Sequence, residues 1–234
     1  MKYLLFFLTL LSFSSHAELP GSFTASYNLH YDDLKIGIME RKFTHNKDGS
    51  GTFESNGKLT GLAALFRKDK ITESSRWEAR EGQLRPVAYS YARSGGDKEK
   101  SEKHLFNWQN NKVSSSTPDG NKEQDLKTGL LDKLLYQLAM MEVTEPEAGL
   151  SYDLIDGTTL KTYQFEFQGE ETLSTPLGKL KTVKFQRIRT KDDESKRSTI
   201  LWCAPSLHYL PVRVDNVDRK GHLTSIVIKK VQGL

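Results

Sequence analysis

The residues with chemistry to offer are few and scattered. Beyond residues 1–17 the histidines are His30, His45, His104, His208 and His222. A metal site needs two to four ligands converging on one point, and none of these histidines pair at short spacing. His30 with Asp32 and Asp33 is the best-assembled ligand set, and a strand-end turn explains it equally well. No metal and no cofactor is expected. Hydrolysis by paired carboxylates needs two acids held across a cleft, and Asp32-Asp33, Glu170-Glu171 and Asp192-Asp193 all fall in turn-like sequence. Gly-x-Ser-x-Gly elbows, phosphate loops and dinucleotide fingerprints are absent from the sequence. A serine triad drawn from distant positions leaves no local mark, so no catalytic residue is assigned.

Other reactive types read first as structure. Cys203 is the sole cysteine and follows Thr199-Ile200-Leu201-Trp202, a buried-strand pattern. It reads as a small core residue; the alternative is a reactive thiol using His208. Trp77, Trp108 and Trp202 sit in alternating stretches and read as core, with a sugar-stacking platform as the alternative. The basic clusters Arg67-Lys68-Asp69-Lys70 and Lys179-Leu180-Lys181 read as solvated faces, or as contacts for anionic lipid or glycan.

The scaffold that must position these groups is β-rich. From Phe23 to Tyr31 every odd position is apolar or aromatic and every even one polar, so Phe23, Ala25, Tyr27, Leu29 and Tyr31 share one strand face. Tyr163, Phe165 and Phe167 repeat the pattern, as do Val183 with Phe185 and Val212 with Val214; His104, Phe106 and Trp108 line another strand. Turn formers divide the runs at Asp32-Asp33, Asp48 to Gly51, Gly95-Gly96-Asp97, Asn110-Asn111, Pro118-Asp119-Gly120, Asp156-Gly157, Pro176 to Gly178 and Lys220-Gly221. Short connections make antiparallel neighbours. The fold class is therefore mainly β: one large, curved antiparallel sheet of about ten or more strands, a half-open or closed barrel.

Two segments depart from alternation. Leu131, Leu134, Leu135 and Leu138 have helical spacing, which predicts an amphipathic helix from Leu130 to about Glu142, capped by Thr128 and packed on the concave face. Gly61 to Phe66 reads as a short helical turn or loop folded onto the core, or as a flap over a cavity mouth. The polar stretch from Ser114 to Lys127 reads as an exposed loop.

Met1-Lys2, the apolar run Tyr3 to Leu11 and the small residues ending at Ala17 have the form of a signal peptide cleaved after Ala17. Residues 18–234 would then form a single all-β domain in the periplasm, with no transmembrane span. The formal net charge of +4 is too small and too dispersed for nucleic-acid binding. A membrane-spanning barrel is disfavoured by charge on both faces of the Lys98 to Lys103 strand, by the charged turn Lys191 to Arg197, and by the non-aromatic end Val231-Gln232-Gly233-Leu234.

Taken in order, several motifs carry a resemblance: Phe23 to Tyr31 followed by Ile36-Gly37; Pro86 to Tyr91 after Gly82-Gln83-Leu84; Leu134-Leu135-Tyr136-Gln137-Leu138; Thr175 to Gly178; and Trp202 ahead of Leu210-Pro211-Val212-Arg213. With them the chain resembles the bacterial exported family of domain of unknown function 3108, over nearly all of residues 18–234. That resemblance implies no activity and no site residues. In outline the layout is also similar to periplasmic lipoprotein carriers of the Lol type, which hold acyl chains between a half-open barrel and helices. The leading expectation is a soluble periplasmic protein that binds a hydrophobic or amphipathic envelope component, lined by Tyr27, Leu62, Leu65, Phe66, Trp77, Tyr89, Leu135 and Tyr163. The alternatives are an envelope structural or assembly module meeting a protein or glycan partner, and an enzyme acting on a glycan or ester.

Overall fold

The computed structural model describes residues 19–80, 82–96, 99–189 and 197–234. The expected signal segment with its cut after Ala17, Asp97 and Lys98 beside one turn, and residues 191–196 of the charged turn lie outside the described residues.

The first half of the chain is strand after strand: β1 (Phe23–Tyr31), β2 (Leu34–His45), β3 (Ser50–Leu59), β4 (Lys70–Arg80), β5 (Gln83–Ser94), β6 (Lys100–Asn107), β7 (Lys112–Thr117) and β8 (Gly120–Asp125). A short helix, α1 (Leu62–Phe66), interrupts it between β3 and β4. A crossover holding α2 (Leu135–Ala139) leads to β9 (Leu150–Asp156), β10 (Thr159–Thr175), β11 (Gly178–Ile188), β12 (Ser198–Ala204), β13 (Leu210–Val217) and β14 (Leu223–Gln232). All fourteen strands join one sheet in the order β8-β7-β6-β5-β4-β3-β2-β1-β14-β13-β12-β11-β10-β9. Each half is a meander of antiparallel neighbours, and the halves meet where β1 pairs with β14. Because β8 and β9 end the order unpaired with each other, the barrel is half-open.

The period-two pattern becomes rows of side chains across the concave face. One row runs Phe23, Phe43, Phe53, Ser75, Tyr89, His104, Ser115. The next runs Ala25, Arg41, Ser55, Glu73, Tyr91, Glu102, and the third Tyr27, Met39, Gly57, Ile71, Arg93. The first row is aromatic at its β1–β3 end, where Phe43 stacks on Trp77 with ring centroids 5.3 Å apart. The second is polar. This gradation from aromatic to polar sets the character of the interior.

Four expectations need correction. Helix α2 covers Leu135–Ala139 and runs into a tight turn at Met140–Glu142; the leucines before it are not helical. Leu131 is extended and bridges β9, its N–H donating to Asp153 O at 2.9 Å and its carbonyl accepting from Ile155 N–H at 3.1 Å. Leu130, Leu131, Leu134, Leu135 and Leu138 are all buried with Phe43, Trp77 and Tyr89 because the crossover threads the barrel interior. Helical spacing was not needed to bury them. The cap comes from Asp132, not Thr128: Asp132 Oδ1 accepts the N–H groups of Leu134 and Leu135 at 2.9 and 2.7 Å. Ser114 to Lys127 is mostly the β7–β8 hairpin, with Val113 and Ser115 inward and its polar residues in solvent. Gly61 to Phe66 is a helical turn, but it is not folded onto the core: Leu62, Leu65 and Phe66 are exposed.

Gly51 shows how tightly the aromatic end is packed. A Cβ there would overlap the Thr44 carbonyl oxygen and lie 2.6 Å from the Trp77 ring. Neither neighbour can give way without moving a strand or a buried indole. Gly51→Ala is expected to lower unfolding free energy by at least about 2 kcal/mol in urea titration; an unchanged midpoint would show that this contact is slack.

Candidate functional site

The crossover carries Asp132 and Lys133 into the barrel interior. Asp132 is fully buried, and Ser75 Oγ donates to its Oδ2 at 2.5 Å. Burial pushes its carboxyl up to about 7, against the pull of Ser75 and the two backbone donors. Lys133 Nζ donates to Glu102 Oε2 at 2.5 Å and pairs with Asp156 Oδ1 at 3.1 Å. Burial alone would depress that ammonium, but Glu102 and Asp156 hold it above its ordinary range. Glu102 Oε1 also accepts from Gly157 N–H and His104 Nε2, each at 2.7 Å. Despite burial, His104 and Lys133 keep the Glu102 carboxyl below its usual range.

His104 Nδ1 lies 3.0 Å from Ser115 Oγ. Serine, histidine and carboxylate therefore stand in the sequence of contacts that a hydrolase uses. His104 is 0% and Ser115 2% exposed, so the pair is buried in this conformation, although both residues border the smaller hollow described below. The cluster is a tie, joining β6, β7, the crossover and the β9–β10 turn through Gly157.

Beyond the polar row the interior opens. A cavity of about 890 Å³ has walls of Leu29, Ile36, Met39, Leu59, Ile71 and Ile226. Gly57 contributes to the hollow: a Cβ on it would be 3.9 Å from Leu29 and Met39 side chains, an ordinary contact. Helix α1 stands at the rim, with Ala63 and Phe66 lining the opening. Thr60 N–H donates to Ile36 O at 2.9 Å, and Asp69 pairs with Arg93 at 2.7 Å and Arg67 at 2.8 Å. Arg93 and Arg67 hold the Asp69 carboxyl below its usual range. The rim is thus fastened to β2 and β5 on either side of α1.

Polar groups lie at the cavity's base. Arg41, Ser55 and Glu73 are consecutive in the second row and all line it. Arg41 is only 6% exposed, with its guanidinium 5.3 Å from the Tyr27 ring centroid. Its buried Nε has no hydrogen-bond partner, and among the described residues it forms no ion pair. Glu73 accepts the Tyr89 hydroxyl at 2.5 Å, and burial raises its carboxyl. A second hollow of about 670 Å³ spans β4 to β8, with Tyr89, His104, Leu105 and Ser115 among its lining beside Ser90, Lys103 and Ser116.

The residues expected to line a site are not gathered in one place. Tyr27, Trp77, Tyr89 and Leu135 belong to the main core, and Tyr163 to a second cluster with Phe165 and Cys203. Leu62 and Leu65 project into solvent from α1, and Phe66, 85% exposed, is the one member of the set that lines the larger cavity. Sequence reasoning missed Arg41, Ser55, Gly57, Glu73 and Ile226. The available signal was parity: Arg41 shares a strand face with Met39 and Phe43, and Glu73 with Ile71 and Trp77. Cys203 is fully buried and its thiol is pushed up to about 12, which leaves almost no thiolate at neutral pH. Among the described residues no group of three or more histidine, cysteine or carboxylate side chains is placed to hold a metal ion. No helix among them is long and apolar enough to cross a membrane.

A family model described as protein of unknown function (DUF3108) matches residues 26–227. No curated protein matches the chain. Among solved structures, the chain is similar to a β-barrel-like protein of domain of unknown function DUF1849 from Brucella abortus. The TM-score is 0.55 at 9% identity, over 91% of this chain and 98% of that one. A candidate lipoprotein from Parabacteroides distasonis aligns over 92% of this chain and 96% of its own, at 10% identity and a TM-score of 0.36. The first of these shares the fold.

Asp132 gives the interior a measurable signature. Its folded pKa lies above the ordinary carboxylate value, so the stability it contributes is full below about pH 4 and is lost as pH rises to about 7. Asp132→Asn keeps an acceptor for the α2 N–H groups and cannot titrate. The stability difference between wild type and variant should drift by an amount on the order of 4 kcal/mol across that window in urea titrations. Parallel pH profiles would show that Asp132 is ionised throughout.

Proposed function

This chain belongs to the family of proteins of unknown function DUF3108, and from that premise we propose that it is a periplasmic binding protein. In this reading residues 18–234 form one exported domain, released by cleavage after Ala17, that takes the hydrophobic part of an envelope amphiphile into its larger cavity. The observation that carries the proposal is the hollow of about 890 Å³ with apolar walls at one end of the half-open barrel. That volume is within the roughly 300–1,000 Å³ of small-molecule pockets, and a few placed polar groups on apolar walls are their usual chemistry. The exposed side chains of Leu62, Leu65 and Phe66 suit a rim over which an apolar ligand passes.

The assembly alternative would use the sheet edges. Edge strand β8 is exposed and carries Lys122, Glu123 and Asp125, charges that oppose the addition of another strand. The crossover at Leu131 already occupies part of β9. Binding within the barrel is therefore the stronger reading. For the enzyme alternative, the serine–histidine–carboxylate array described above is buried.

An uncharged dye that fluoresces in apolar surroundings, N-phenylnaphthylamine, tests this directly. Wild type is expected to enhance its fluorescence saturably, and Gly57→Leu, which fills the hollow from its wall, to reduce the affinity at least tenfold while keeping the urea midpoint. Absence of saturable binding by wild type, together with a solvent extract of the periplasmic protein that holds no lipid by mass spectrometry, would end the proposal.

A further inference from the structure

Arg41 is a buried charge that forms no ion pair among the described residues, although its field reaches Glu73 and its side chain meets Tyr27. A buried guanidinium is costly to desolvate, and proteins normally match it with a carboxylate or a full set of acceptors. Here the Nε hydrogen meets no acceptor, and no ion pair reaches the group among the described residues. The Tyr27 ring at 5.3 Å is a weak substitute. Asp69, the other acid near the mouth, is already held between Arg67 and Arg93. Glu73 is next but one in the same row and feels the Arg41 charge, but its hydrogen bond is to Tyr89, and burial raises its carboxyl against the pull of Tyr89, Lys133 and Arg41. Arg41 therefore faces the base of an apolar cavity with hydrogen-bonding capacity left over.

We propose that Arg41 is an anchor for an anionic head group, so that the ligand is an acyl chain ending in a carboxylate or a phosphate. The inference rests on the cavity reading above and names the chemical class that the cavity takes. The head enters first and meets the guanidinium fork beside Ser55, a geometry suited to two-pronged recognition of either anion. The chain then runs outward along Met39, Leu29, Ile71 and Ile226 to the rim at Phe66. Such a ligand satisfies both halves of the site at once: apolar walls take the chain, and the unpaired cation takes the head.

Calorimetric titration with dodecanoate, dodecyl phosphate and dodecanol, each below its aggregation limit, tests this on the mature protein. Wild type should bind at least one of the anions ten or more times more tightly than dodecanol, and the stronger of the two identifies the head. Arg41→Met should bring that preference to near unity by weakening binding of the anions. Its urea midpoint should equal or exceed that of wild type, because an unmatched charge is gone. Arg41→Lys, which keeps a cation but loses the fork, should fall between. If dodecanol binds as tightly as the anions to wild type, and Gly57→Leu abolishes all three, the cavity stands and the anionic anchor falls. If none of the three binds, both readings fall. Loss of folding in both Arg41 variants would make Arg41 a support of the barrel, which also overturns the proposal.

Discussion

A sheet of fourteen strands with two free edges leaves one broad face that must be covered, and the leucines of the crossover cover it. That burial requires the crossover to carry its own polar backbone into a place without water. Asp132 makes this feasible. It reaches sideways to Ser75 of β4 and forward to the first N–H groups of α2, so one carboxyl both fastens the plug to the wall and starts its helix. Leu131 meets the rest of the requirement by pairing with β9. Remove these bonds and the leucines have no conformation in which they can be buried at acceptable cost.

The plug also divides the interior. On the side of Phe23, Phe43, Phe53 and Trp77 the barrel is filled, and Gly51 is small because nothing larger fits beside the indole. Around Asp132 and Lys133 lies a band of mutually satisfied polar groups. On the far side, where no element of the crossover reaches, the barrel stays hollow and Arg41 is left facing it. The same backbone pattern thus yields a packed end, a bonded middle and an open end. Their differences come from side-chain size and from how far the plug extends.

Much of this was legible as alternation. Phe23 to Tyr31 reads as a strand because its hydrophobic pattern has period two, and the turn residues mark where strands reverse. Other features were hidden for physical reasons. The β7–β8 hairpin has only Val113 and Ser115 deeply buried, so its serines and charges resemble a loop. Leucines spaced as on a helix were buried on all sides, so spacing said little about backbone conformation. Arg41 was hidden most completely. A charge on the core face of a strand looks like an error in the pattern, and it becomes meaningful only when the absent partner and the adjacent hollow are both known. For Gly61 to Phe66 a turn folded onto the core is the first reading of the sequence and a flap over a cavity mouth the second; Phe66 lines the larger cavity, while Tyr27, Trp77 and Tyr89 lie in the main core.

The seam between β1 and β14 has a consequence for how the barrel comes into being. Thr24 lies beside Gln232 and Tyr31 beside Thr224, so the central ladder of the sheet joins its first and last strands in chain order. In a chain that emerges N-terminus first, β1 to β8 can zip up locally, but the inner strand has only one neighbour until β14 arrives. Contacts this distant in sequence close slowly. The architecture therefore withholds its completed form until β14 has been delivered, and a chain without that strand would leave its most central strand as an open edge.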